Sequence, residues 1–277
     1  MNGLTTPFDA QTALKTLWGA SEMPLGEAVC APVLSATFKD HSRRLEQLVA
    51  LRACGLVHGP NGVGKTLLVE QLMRTLPDKR FKSIFISHAS VTATDLIRLL
   101  CAELGVKPRM RRSDNLREIR SAWQQLDRLW PLIVLDEAQD LSASALEELR
   151  LLSCDRRDSH SPFSLLLVGD EQLLPRLQMG INAPLLARLS FCLHLPPWSP
   201  ADLHAYLEVR LQQVGIHANP FESAAQQLLI QLANGLPRRL NQVAQRAMQH
   251  ALEQNSRAIT PAHIHGAIEL MPWVAKL

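Results

Sequence analysis

Apolar positions along this chain follow two rhythms. Five short runs, "CGLVHG" (54–59), "KSIFIS" (82–87), "PLIVLD" (131–136), "SLLLVGD" (164–170) and "SFCLHL" (190–195), are too short for helices and are bounded by breakers. Four of them are rich in Leu, Ile and Val with few polar positions, the pattern of strands buried on both faces of a parallel sheet. Between the runs lie segments of helical period: "KTLLVEQLMRTL" (65–76), "TATDLIRLLCAELG" (92–105), "NLREIRSAWQQLDRLW" (115–130) and "SASALEELRLLS" (142–153). Thr92 or Thr94 is placed to cap the second of these and Gly105 to end it. Strands alternating with helices predict a doubly wound α/β layer.

After "LHLPPWSP" (193–200) the pattern changes, and Pro196, Pro197 and Pro200 mark the boundary. The remainder of the chain is helical in pattern throughout, over 199–215, 221–235, 237–254 and 260–271. Ser199 before Pro200, Pro237 in a first turn and Thr260 before Pro261 are start signals. The expected organisation is an N-terminal extension over 1–40, an α/β domain over 41–197 and a small all-helical domain over 198–277.

Composition adds limits. Of 277 residues, 47% are hydrophobic and 20% charged, as in an ordinary globular protein. No run of 18 or more apolar residues appears, and the first residues show no basic stretch leading into an apolar one. Neither a transmembrane helix nor a signal peptide is therefore expected. Five scattered cysteines (Cys30, Cys54, Cys101, Cys154, Cys192) form no C-x-x-C pair and read as small hydrophobes in a reducing compartment, with the cytoplasm as the expected address. The net charge of +3 is too small to announce a nucleic-acid partner, so distribution matters more. "KPRMRRSDNLREIR" (107–120) concentrates Lys107, Arg109, Arg111, Arg112, Arg117 and Arg120 against only Asp114 and Glu118. This segment is either a solvated helix start or a patch that tracks a phosphate backbone.

The chemistry enters at "LVHGPNGVGKTLL" (56–68). Gly59, Pro60, Asn61, Gly62, Val63, Gly64, Lys65 and Thr66 satisfy G-x-x-x-x-G-K-[ST] between an expected strand and an expected helix. Glycines let backbone N–H groups wrap a phosphate chain, Lys65 reaches the β- and γ-phosphates, and Thr66 supplies a hydroxyl to magnesium at a helix N-terminus. The magnesium needs a carboxylate and the attacking water needs a base. "PLIVLDEAQDL" (131–141) offers Asp136 for the first and Glu137 for the second, at the end of a strand. His58 beside the loop reads as structural. "HIH" (263–265) has period-2 spacing on an expected helix and aligns no pair of metal ligands.

In order along the chain, "GPNGVGKT", "LIVLDEAQDLSASALEELRLL", "SLLLVGDEQL", "LLARLSFCLHLPPWSPADLHAYLEVRL" and "ANGLPRRLNQVAQRA" resemble AAA+ ATPases. The resemblance is to the ExeA-like branch and to transposon-encoded regulators of the TnsC, TniB, IstB and MuB kind, and it covers roughly residues 40–275. It implies a P-loop AAA+ domain with a five-stranded parallel sheet flanked by helices, followed by a helical lid, with ATP and Mg2+ bound. It further implies Asp170 at the sensor-1 position, Arg188 as an arginine finger reaching a neighbouring subunit, and Arg238, or else Arg239, as sensor 2. Three functions are compatible. One is an ATP-dependent, oligomeric regulator of transposition that binds double-stranded DNA through Lys107, Arg109, Arg111 and Arg112 and recruits a transposase. The second is an ExeA-like ATPase in secretion-apparatus assembly. The third is a nucleotide-switched protein-binding module. ExeA-like proteins add a membrane span and a cell-wall-binding region, and the end at Leu277 without either points to the first reading with no membrane partner. The intact Lys65, Thr66, Asp136 and Glu137 point away from the third.

Overall fold

A computed structural model describes residues 10–26, 36–87, 92–126, 128–154 and 161–274, and Cys30 lies outside them. The chain divides into two units, one comprising 36–60 and 65–195, the other the N-terminal residues, 61–64 and 196 onward.

The first unit is built on a parallel five-stranded sheet. β1 (Gly55–His58), β2 (Phe81–Ile86), β3 (Trp130–Leu135), β4 (Ser164–Gly169) and β5 (Phe191–His194) lie in the order β2-β3-β4-β1-β5. Each strand coincides with one of the five apolar runs. Burial follows position in the sheet: all six residues of β4 are buried, whereas edge strands β2 and β5 keep partly exposed positions. Side-chain alternation sends Leu56, Ile84, Ile86, Ile133, Leu135, Leu165 and Leu167 to one face. That face shares a core with α4 (Ala93–Glu103), α5 (Arg112–Gln125), α6 (Ala143–Leu152), α7 (Leu173–Gln178) and α8 (Ala183–Leu186). The alternate residues Val57, Val134, Leu166 and Val168 are equally buried. Helices α2 (Ala36–Ala50) and α3 (Lys65–Thr75) belong to that side, with Leu48 of α2 close against Gly55. Burial on both faces is why β3 and β4 read as unbroken apolar runs.

Local signals account for the helix ends. Thr92 caps α4 by accepting from Asp95 N, Ser142 caps α6 through Ala145 N, and Gly105 follows α4 at φ +73°. Helix α5 differs from expectation, starting at Arg112 rather than Asn115 and ending at Gln125. Cys54 and Cys101 are buried, Cys154 is half-buried and Cys192 on the edge strand is exposed.

The second unit contains α1 (Ala10–Trp18), α9 (Pro200–Gln213), α10 (Ser223–Ala233), α11 (Pro237–Glu253) and α12 (Pro261–Glu269) around one apolar core. Ser199 caps α9 through Asp202 N, and Thr260 forms a capping box with His263. Helix α1 and the turn after it belong to this core through Leu14 and Leu25. Ser21 N donates to Val214 O at 2.8 Å and the buried Arg210 donates to Gly26 O at 2.8 Å, fixing the segment. Among the described residues no helix is long and apolar enough to cross a membrane.

Candidate functional site

In a parallel sheet the carboxyl ends of all strands open on one edge, and ligands bind there. The order β3-β4-β1 therefore brings three sequence-distant segments side by side: the glycine-rich loop after β1, Asp136-Glu137 after β3 and Asp170 after β4.

Lys65 opens α3 and is buried. Its ammonium donates to the carbonyls of Gly59 at 2.9 Å and Pro60 at 3.1 Å, so a cation sits inside the turn of the loop. Thr66 Oγ1 lies 2.7 Å from Asp136 Oδ2, joining the head of α3 to the end of β3. Asp136 is buried, and its other oxygen accepts from Glu137 N at 2.9 Å. Two hard oxygen donors converging beside a buried ammonium suit Mg2+, which takes one or two protein oxygens and completes its shell with water and phosphate. Residues 61–64 group with the helical unit: Gly62 O accepts from Arg238 N at 3.3 Å, and Val63 O from Trp198 Nε1 at 3.1 Å. Gly62 and Gly64 stand at φ +88° and +107°, a backbone conformation that side-chain-bearing residues rarely adopt.

Glu137 is in the left-handed region (φ 52°, ψ 39°), which costs a residue with a Cβ about 1–2 kcal/mol. It opens the 3-10 turn Ala138–Asp140, and its carboxylate accepts from Gln139 Nε2 at 2.7 Å. Asp170, at the end of β4, accepts from Gln172 N at 2.8 Å, while its own N–H donates to Gln139 Oε1 at 3.1 Å. Its carboxylate thus opens the turn into α7. Arg188 is half-buried. Its guanidinium donates to Ser153 O at 3.2 Å and Cys154 Sγ at 2.9 Å, at the C-terminal end of α6. Of the two sensor-2 candidates, Arg238 is exposed and packs on Gly62, where an added Cβ would stand 3.0 Å from Arg238 Cβ. Arg239 is half-buried, and its buried Nη1 has no hydrogen-bond partner among the described residues. His58 lies beside His194, its register partner on β5, with ring centroids 4.9 Å apart. Burial first, then the neighbouring imidazole, pushes the His58 pKa down.

The basic segment is a fixed loop, not a loose one. Buried Asn115 accepts from Arg109 N and donates to Arg109 O at 3.1 Å, clamping the loop's backbone from both sides. Lys107, Arg109 and Arg111 are exposed. Arg109 makes a 3.7 Å surface contact with Glu118, an ion pair of the kind worth about 0–1 kcal/mol. Arg112, its side chain 48% exposed, has a protein partner as well. It makes a bidentate pair with the buried carboxylate of Glu148 on α6, with contacts of 2.6, 2.8 and 3.1 Å. That guanidinium holds α5 against α6, which also explains a cation in a first helical turn, where the dipole opposes it.

Sequence reasoning passed over Gln139, Asn115 and Arg176, whose guanidinium donates to Gln139 O and Leu141 O. Gln139, two positions after Glu137, carried a signal of proximity alone. The partners of the other two are set by the fold rather than by any motif.

A family model described as AAA domain matches residues 49–177. General secretion pathway protein A of Aeromonas hydrophila is 30% identical over 226 residues, covering 79% of this chain and 40% of that protein. The Mu-like prophage FluMu DNA transposition protein B of Haemophilus influenzae is 27% identical over 161 residues, covering 56% and 52%. ATP-dependent target DNA activator B of Escherichia phage Mu is 31% identical over 134 residues, covering 48% and 40%. The chain thus spans between 40% and 52% of the length of these relatives. Among solved structures, Cdc6p from Pyrobaculum aerophilum superposes with a TM-score of 0.73 at 16% identity, over 92% of this chain and 70% of that one. Its likeness is one of fold.

Proposed function

We propose that this chain, in which the AAA domain model matches residues 49–177 and which is similar to the Mu transposition proteins and to the secretion-pathway protein, is an AAA+ ATPase acting as an ATP-dependent, DNA-binding regulator of transposition. It assembles as a homo-oligomer, ring or filament, on double-stranded DNA and engages a transposase.

The ATPase chemistry is built on the strand-end geometry. Lys65 places a positive charge on the β- and γ-phosphates, and the loop N–H groups around it hold the phosphate chain. Thr66 and Asp136, 2.7 Å apart, would hold Mg2+ between them, and the metal when bound supplies charge neutralisation on the phosphate oxygens. Glu137 accepts the proton of a water that attacks the γ-phosphorus; the bond to the bridging oxygen breaks, leaving ADP and phosphate. Arg238 is the sensor-2 cation, and Arg188 completes a neighbouring subunit's site once it leaves the end of α6.

One observation carries the DNA reading: Lys107, Arg109 and Arg111 project from a loop whose backbone is clamped by buried Asn115. A preorganised cationic loop tracks phosphates without reading bases, which suits a partner for many targets. The relation to a protein named for ATP-dependent activation of target DNA supports the same reading. With ATP analogue bound, affinity for duplex DNA should fall with salt at a log–log slope of about −0.9 per phosphate contact. Arg111→Ala should weaken all sequences alike and make that slope shallower. No binding at low salt, or an unchanged slope in the variant, would remove the loop from the interface. A secretion-assembly ATPase is the second reading, favoured by the 226-residue similarity to general secretion pathway protein A, and absence of DNA binding would promote it.

A further inference from the structure

The Glu137 backbone is tied to Asp136 beside it, yet its side chain is held from a different direction. Gln139 Nε2 donates to Glu137 Oε2 at 2.7 Å and lies 3.4 Å from Asp140 Oδ2. On the opposite side of the same amide, Oε1 accepts from the backbone N–H of Asp170 at 3.1 Å. The orientation of the amide is not free: a backbone N–H can only donate and a carboxylate can only accept, so the oxygen must face Asp170 and the NH2 group must face Glu137.

Three features show that this arrangement is built. Arg176 of α7 donates to the carbonyls of Gln139 and Leu141, tying the 3-10 turn to the helix that follows β4. Gly169, the last residue of β4, leaves the space the amide occupies: a Cβ there would stand 2.6 Å from Gln139 Oε1. Glu137 itself has a left-handed backbone, which turns its side chain away from the path a regular strand exit would take.

We propose that Gln139 is a positioning residue that sets the orientation of the Glu137 carboxylate and couples it to the end of β4 at Asp170. This rests on the assignment of Glu137 as the base. One amide spans both strand ends, so a shift of the Asp170 backbone moves the donor that holds Glu137. The relay needs no side-chain charge on Gln139, only its two-ended hydrogen bonding.

The test uses the full chain and three variants, read by steady-state ATPase, single-turnover hydrolysis and binding of a fluorescent ATP analogue. Gln139→Leu removes both arms. Gln139→Glu keeps the shape and the acceptor toward Asp170 but replaces the donor to Glu137 with a carboxylate oxygen. Gly169→Ala crowds the amide without altering it, and it crowds Leu173 as well, whose Cδ2 a new Cβ would also meet at 2.6 Å. All three should lower kcat by about 10- to 100-fold, the scale of a misplaced reacting group, with nucleotide affinity and KM within about twofold. In a Glu137→Gln background, Gln139→Leu should cost nothing further, since there is no carboxylate left to orient. A merely structural glutamine would cost the same factor in both backgrounds, and that result overturns the proposal. So does wild-type kcat in Gln139→Glu, which is isosteric and lacks the amide donor. If Glu137→Gln alone retains full turnover, the base assignment fails first, and the proposal fails with it.

Discussion

Replacing Arg112 with alanine leaves the carboxylate of Glu148 on α6 without its bidentate cation. The pair has N–O contacts of 2.6 and 2.8 Å from one nitrogen and 3.1 Å from the other. Its two ends differ in setting, since the Glu148 side chain is 5% exposed and that of Arg112 48%. Breaking a fully buried pair costs about 3–5 kcal/mol because a charge is stranded, whereas a surface pair is worth about 0–1. With one end buried and water reaching the other, about 2 kcal/mol is the reasonable middle. At about 2–4 °C per kcal/mol for a domain of this size, Tm should fall by about 4–8 °C. Differential scanning fluorimetry reads the shift, with Arg111→Ala as the control expected to move Tm by less than about 1 °C. Adding Glu148→Leu to Arg112→Ala should recover most of the loss, because it removes the stranded charge. An Arg112→Ala Tm within about 1 °C of wild type, accompanied by weakened DNA binding, would refute the reasoning and leave Arg112 in the phosphate-contacting set.

Three other outcomes are expected at the site and in its surroundings. Lys65→Ala should abolish nucleotide binding, while Glu137→Gln should retain it and lower kcat by about 100-fold or more, as read by analogue binding and phosphate release. Arg188→Ala should leave ATP binding intact and abolish turnover, and mixing it with Lys65→Ala subunits should restore activity, since each variant supplies what the other lacks; a mixture with no gain rules out action in trans. The His58 imidazole, held below its ordinary value by burial and then by His194, makes stability depend on pH, and burial does the same to His41 and His263. The unfolded chain takes up protons on these groups as pH falls through about 6.5, the folded chain resists, and stability present above that pH is lost below it. Tm measured between about pH 7.5 and 5.5 should therefore decline, with a shallower decline in His58→Asn.

Much of the fold and the core of the site could be read from local pattern. Strand β4 is apolar at almost every position because it is central and covered on both faces. The caps at Ser199 and Thr260, and at Thr92 as one of two candidates beside Thr94, were visible because a cap's donor lies only three residues away. The glycine-rich loop and the Asp136-Glu137 pair were visible for a related reason, as each performs its chemistry through a short run of consecutive residues. Helix α2 carried a readable pattern that went unread, with Phe38, Leu45, Leu48 and Val49 buried on one side.

The chain alone determined which segments form strands and helices and which short runs hold phosphate, because backbone hydrogen bonding and side-chain period act between near neighbours. Tertiary structure decided the partners. It paired Arg112 with the buried carboxylate of Glu148. It set Asn115 beneath the loop at Arg109, and it grouped α1 with the C-terminal helices through Leu14 and Leu25. It also inserted the Gln139 amide between Glu137 and the end of β4, where only a glycine at 169 leaves room. A charged or amide side chain has the same local preferences whether it faces water or a buried partner. Its role is set by which polar atom the fold delivers to it, and the cost of leaving that atom unpaired in a low-dielectric interior is what enforces the match.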